Sequence, residues 1–188
     1  MERIRVGVSH CLLGGAVRYD GGHRRHEIVC SVLARLFELV PVCPEVSAGL
    51  GVPRPPVRLV DGGSGNIRVL GAEDGGLDVT EVLAGRSLEL VFTLAGVCGF
   101  VLKSRSPSCG AAGVPVFRRD GSDAGFAGSG VFARCLRQAY PGMPLIEEFE
   151  LGDAARLADF VYLVRDYHGK RRRAVDNHAP SPPTGKGQ

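Results

Sequence analysis

Residues 4–15, IRVGVSHCLLGG, decide how the whole chain is read. Up to Ser9 the run alternates and is rich in Val, with Ile4, Val6 and Val8 on one side and Arg5, Gly7 and Ser9 on the other. Period-two alternation of β-branched residues marks a strand. The apolar run then stops, a thiol stands just past it at Cys11, and a glycine-rich turn follows through Gly22. Two further stretches finish in the same way. LVPVC (39–43) is a short apolar run that ends in Cys43, and VCGFVLK (97–103) leads through SRSPS to Cys109.

Outward from these runs, the pattern switches to helical spacing. Residues 26–38, HEIVCSVLARLFE, carry Val29, Val32, Leu33, Leu36 and Phe37 in a helix-like stripe. The stretch PEVSAGLGVPRPPV is loop-like. VRLV (57–60) and NIRVLG (66–71) flank the turn DGGSG and predict a hairpin or an insertion. Residues 79–95 read as a second helix capped by Asp78 or Thr80, VPVFRR (114–119) as a short strand, and a helix runs from Val131 to about Ala139. MPLIE (143–147) is a late strand, and Leu157, Val161 and Val164 place a last helix at about 152–167. Strands alternating with helices predict an α/β fold. The expectation is a single three-layer domain over residues 1–167, with a mostly parallel sheet and helices on both faces. Residues 168–188, with the run KRRR, read as a disordered basic tail.

In an open parallel sheet the C-terminal ends of the strands lie along one edge, and ligands bind there. Cys11, Cys43 and Cys109 all sit just beyond strand ends, so they are expected to converge and to hold a metal or cluster. Cys30, Cys98 and Cys135 lie in or beside periodic apolar runs and read as core filler. No CxxC pair signals a zinc ribbon or a redox dithiol. Three thiolates leave one coordination position open, as catalytic metals do, and soft thiolates select zinc or iron–sulfur.

The totals exclude several classes. At 188 residues with 44% hydrophobic and 23% charged residues, the chain makes one ordinary globular domain. No apolar run approaches the roughly 20 residues that span a bilayer. MERIRVGVSH lacks the features of a secretory signal, so a cytoplasmic protein with reduced thiols is expected. A net charge of +3 is too mild for a dedicated nucleic-acid coat, although the tail allows a weak RNA contact.

VSHCLLGGAVRYDGG, VCPEVSAGLGVPRPP, LDVTEVLAGR and LKSRSPSCG stand in an order that resembles the successive blocks of the domain-of-unknown-function family 523. A further match, GSGVFARCLRQAYPGMPLIEE, carries the resemblance across residues 6–148. Characterised relatives in that family include thiouracil desulfidase. The resemblance implies a small α/β protein binding a 4Fe–4S cluster through Cys11, Cys43 and Cys109, whose fourth iron takes up the sulfur of a thiolated pyrimidine. It implies matching roles for Glu45 in the CPE block and Ser106 in the SPSCG block. His10 departs from the family pattern, where a small residue is common.

Around these blocks the residues suggest further roles. Glu45 stands two residues after Cys43, placing a carboxylate beside the metal site to activate water or protonate a ring nitrogen. Ser106 and Ser108 flank Pro107 and offer hydroxyls to a substrate carbonyl or to water. The N–H groups of Gly110 and Ala111 are candidate donors to cluster sulfides. Arg54, Lys103 and Arg105, with Arg18, are candidates for a substrate phosphate. Asp20 reads as a turn cap. His23 and His26 lack a spaced partner for zinc. Three functions are compatible with this pattern: an iron–sulfur desulfidase acting on thiouracil or on 4-thiouridine as nucleoside or nucleotide, a zinc-dependent hydrolase using the same cysteines, and a metal-bearing RNA-binding module without catalysis.

Overall fold

The structure is a computed structural model and describes residues 3–176. β1 (Arg5–Ser9) lies inside a four-stranded sheet in the order β2-β1-β5-β8, with β2 at Glu38–Val42, β5 at Val97–Leu102 and β8 at Leu145–Glu147. Every pairing in this sheet is parallel. The chain leaves β1 towards β2 and later returns to its other side as β5. A doubly wound sheet opens a crevice at such a reversal, outside the strands' C-terminal ends.

Helices cover both faces, as the alternation predicts. On one face, Val6, Val8, Cys98, Val101 and Ile146 pack against Val29 and Leu33, and against Phe160 and Val164 of α5 (Ala154–Asp176). On the other, Phe100 and Leu102 pack against Val91 of α3 (Thr80–Thr93) and Phe132 and Leu136 of α4 (Val131–Ala139). Gly7 has a steric cause. A Cβ there would lie 2.2 Å from the Phe100 ring, which also meets Phe132 edge-on at 5.3 Å between centroids.

The structure departs from the expected three layers by adding a fourth. The hairpin β3 (Val57–Asp61) and β4 (Ile67–Gly71) joins β6 (Val114–Phe117) and β7 (Asp123–Gly128) in a second sheet, ordered β4-β3-β6-β7. Leu59, Val69 and Val116 of this sheet pack on Leu83 of α3 and Val131 of α4. These two helices are therefore sandwiched between sheets. The hairpin was legible, but β7, DAGFAG, escaped the pattern because alanine, glycine and aspartate are poor strand formers.

Two helices also differ from expectation. The first is π-helical over Val29–Leu33 and ends in α1 (Ala34–Leu36). Val29, Leu33 and Phe37 are buried, while Val32 and Leu36 are each 39% exposed, so the apolar stripe is narrower than its composition. α5 is capped by Asp153, whose Oδ1 accepts the N–H of Ala155 at 2.8 Å, and continues to Asp176 rather than stopping at 167. The KRRR run is thus helical. Arg171 donates to the carbonyls of Ala95 at 2.6 Å and Val97 at 3.3 Å, and lies over the Tyr167 ring. The rest of the expected tail, 177–188, lies outside the described residues.

Candidate active site

Three chain segments leave the parallel sheet at the same edge, and each carries one of the expected thiols. After β1 a 3-10 turn, His10–Leu13, holds Cys11 and ends at Gly14 in the left-handed region, φ 94°. After β2, Cys43 is the N-cap of α2 (Pro44–Ser47), with proline at the first helical position and Glu45 in the first turn. After β5 the loop SRSPSC brings in Cys109. Cys11, Cys43 and Cys109 line one cavity of about 530 Å3, together with Glu45, Arg54, Lys103 and Ser106.

The SPSC loop is locked by α4. The N–H of Val131 donates to the carbonyl of Pro107 at 3.0 Å, and that of Phe132 to Ser108 at 2.9 Å. The helix's free N-terminal donors are therefore spent on the loop that carries Cys109. Close approach requires Gly130, because a Cβ there would sit 2.4 Å from the Ser108 carbonyl oxygen. Gly130→Ala is expected to destabilise the fold by about 1–3 kcal/mol, lowering the melting temperature, and to reduce iron bound per chain after reconstitution. Thermal unfolding and iron quantification check this. An unchanged melting temperature with full iron loading would contradict the tight packing.

Burial pushes the Cys11 thiol up to about 11, and the neighbouring Cys43 adds to the shift, while Arg18 and Lys103 oppose it. Cys43 is also raised, chiefly by burial. Cys109 is raised further by burial, and Cys43, Glu45 and Cys11 add to the rise. The three sulfurs therefore feel one another's charge, and metal loading must release their protons. Among the described residues no group of three or more His, Cys, Asp or Glu side chains is arranged to hold a metal ion. Three soft thiols spread around a roomy cavity suit a polynuclear iron–sulfur cluster, where each thiolate meets its own iron, better than a lone zinc. Cys11, Cys43 and Cys109 are the residues that would hold it.

Glu45 is the organised polar centre. Its Oε1 accepts the Ser108 hydroxyl at 2.7 Å. Its Oε2 accepts Nε and Nη2 of Arg54 at 2.9 and 2.6 Å. Ser108 is fully buried and stands behind Glu45 rather than on the cavity wall, so it touches the carboxylate and not the cavity. Ser106 does line the cavity. Its Oγ accepts the N–H of Cys109 at 3.1 Å and of Ser108 at 3.3 Å, which leaves its own O–H free to donate.

Several expected donors are committed elsewhere. Arg54 is ion-paired with Glu45. Lys103 Nζ is bonded to Glu148 and to the carbonyl and hydroxyl of Ser104 at 3.1 and 3.0 Å. Burial pushes the Glu148 carboxyl up, but hydrogen bonds from Lys103 and Ser104 outweigh it and hold the group below its ordinary value. The amides of Gly110 and Ala111, expected to face cluster sulfides, donate instead to the Ser106 carbonyl at 2.9 Å and to Glu147 Oε1 at 2.7 Å. Arg105 is exposed at the cavity, with φ 57°, and Arg18 and Arg24 share its wall. Asp20 takes the Gly22 N–H at 3.0 Å, as a turn cap does. His23 accepts the Arg25 N–H at 3.2 Å, and neither His23 nor His26 lines the cavity.

Cys98 and Cys135 are buried and Cys30 is half-buried, with its thiol 3.6 Å from the Leu12 carbonyl. Sequence reasoning missed the Arg54 clamp, the Glu147–Glu148 pair and His10, which lines the cavity with its ring packed over Gly15. The one available signal was the doubled glutamate at the end of a predicted strand.

A family model described as 2-thiouracil desulfurase matches residues 6–148. The uncharacterized protein YbbK of Bacillus subtilis (strain 168) is 34% identical over 155 residues, covering 78% of this chain and 97% of its own length. The solved structure of the 4Fe-4S-dependent thiouracil desulfidase TudS, a DUF523 protein, matches with a TM-score of 0.61 and 32% identity, over 85% of this chain and 99% of that one. The matched residues run from β1 to Glu148 and include all three thiols of the cavity, Glu45 and Ser106, and this chain belongs to the 2-thiouracil desulfurase family, DUF523.

Proposed function

We propose that the protein is a non-redox desulfidase that replaces the thiocarbonyl sulfur of a thiolated pyrimidine with oxygen. The overall change is C=S plus water giving C=O plus hydrogen sulfide, and it needs no electron donor. The observation that carries this reading is the convergence of Cys11, Cys43 and Cys109 on one cavity that also contains a clamped carboxylate, Glu45. When bound by these thiolates, a 4Fe–4S cluster supplies an iron corner with a soft-acid affinity for sulfur.

The chain's own residues supply the rest. Glu45 accepts a proton from water as the ring carbon is attacked, the role of a general base within hydrogen-bond reach. Ser106 donates its hydroxyl to a ring carbonyl or to the developing oxygen, since both its neighbouring amides already donate to it. Val42, Pro44 and Pro107 form apolar wall for the ring. The same cavity has room for more than a base. Arg24 and Arg105 also line it, and they suit the anionic group of a thionucleotide better than Arg54, Lys103 and Arg18, which are paired with Glu45, Glu148 and Asp20. No helix among the described residues is long and apolar enough to cross a membrane. Reduced thiols of this kind suit the cytoplasm.

The test is anaerobic reconstitution with iron and sulfide, followed by sulfide release from 2-thiouracil, 4-thiouridine and 4-thiouridine monophosphate. A brown protein that releases sulfide and forms the oxo base is expected. A colourless protein that binds one zinc and releases no sulfide sinks the reading in favour of a zinc hydrolase.

A further inference from the structure

Arg54 is an unusual arginine. Its side chain is only 5% exposed, on a proline-rich loop with no regular secondary structure. Nε and Nη2 both bond Glu45 Oε2. Nη2 also donates to the Val17 carbonyl at 3.0 Å, and Nη1 to the Gly51 carbonyl at 2.8 Å. Its backbone N–H donates to the Tyr19 carbonyl at 2.9 Å. One residue thus ties the loop after β1, the helix after β2 and its own loop to the same carboxylate.

The way it grips Glu45 matters. An arginine fork usually takes one carboxylate oxygen on each prong. Here both prongs meet on Oε2, and Ser108 takes a single position on Oε1. A carboxylate oxygen can accept two hydrogen bonds. Oε2 is therefore full, whereas Oε1, with Ser108 as its one bonded partner, keeps an acceptor position.

We propose that Arg54 is a positioning residue that selects the Glu45 rotamer in which Oε1 accepts the proton of the attacking water, and that it does so without touching substrate. This rests on the desulfidase reading for its kinetic consequence and on the Glu45–Ser108 geometry for its structural one. Arg54→Met keeps a long apolar stem but offers no donors. Arg54→Lys keeps the charge but places it at a single point, unable to direct two N–H groups onto one oxygen.

Both variants are made in the full chain and reconstituted anaerobically. Iron and sulfide per chain are expected to match the parent, since none of the three thiols bonds Arg54. The kcat on 2-thiouracil is expected to fall about 10²-fold in Arg54→Met, the effect of misplacing a reacting group by about 1 Å, with KM changed less than about threefold. Guanidinium ion at sub-denaturing concentration is expected to restore part of the kcat of Arg54→Met and none of that of a Glu45→Gln variant. In a crystal structure of Arg54→Met, Glu45 is expected to have left Ser108. The proposal is overturned if Glu45 stays 2.7 Å from Ser108 without Arg54, or if kcat falls only in proportion to iron lost. If Arg54→Met does not fold, Arg54→Lys carries the same readings. A parent enzyme that releases no sulfide from any thiolated pyrimidine overturns the proposed function instead, and the position of Glu45 in the variant crystal still decides for or against Arg54.

Discussion

Replacing Cys11, Cys43 or Cys109 by alanine is expected to abolish both the brown visible absorption and sulfide release, whereas Cys135→Ala retains both. The contrast follows from where the sulfurs stand. The first three line the cavity at the strand ends. Cys135 lies on the buried side of α4 among Phe132, Leu136 and Met143, and its loss removes only a small apolar contact. That costs about 1 kcal/mol of stability and leaves the site intact. Loss of even an outer partner of a metal site commonly costs ~10–100-fold, so removing a ligand thiolate is expected to cost more. Iron quantification, the visible spectrum and sulfide release together check it. Full iron content in any of the three alanine variants would show that the ligand set has been misassigned.

Glu45→Gln is expected to keep the cluster and lose turnover by about 10²–10⁴-fold, the range for removing a general base. Glutamine has the same shape, so Ser108 still has an oxygen to bond. The charge is gone, however, and the Arg54 guanidinium is left nearly buried without a counter-ion. Breaking a buried ion pair by removing one partner costs about 3–5 kcal/mol, so the variant should also melt earlier. Combining Glu45→Gln with Arg54→Met removes the orphaned charge. The double variant is expected to regain stability and not activity, which separates the carboxylate's chemical role from its structural one. Near-native turnover in Glu45→Gln would remove Glu45 from the mechanism.

The two glutamates that matter differ in how visible they were. Glu45 follows a thiol at short range, so its nearness to the candidate metal site could be inferred from chain geometry alone. Glu148 is distant from Lys103 in sequence, and only the pairing of β5 with β8 brings their strand ends together. Arg54 shows the same limit from the other side. Among prolines in a loop it read as a free cation, yet folding buries it against Glu45 and the carbonyls of Val17 and Gly51. Ser108 and Ser106 were indistinguishable in the string SPSC. One turned out to stand behind the carboxylate and the other on the cavity wall.

By itself the sequence determined the strands that end at Ser9, Val42 and Leu102, the helices between them, and the thiols placed beyond those ends. These follow from periodicity and turn chemistry, which act over a few residues and are written locally. Tertiary structure alone decided that a second sheet would cover α3 and α4, that KRRR would extend a helix, and which cations would be neutralised. Those outcomes depend on which segments meet across the fold. A side chain's charge is visible in its letter, but its partner is set by packing between residues far apart in the chain.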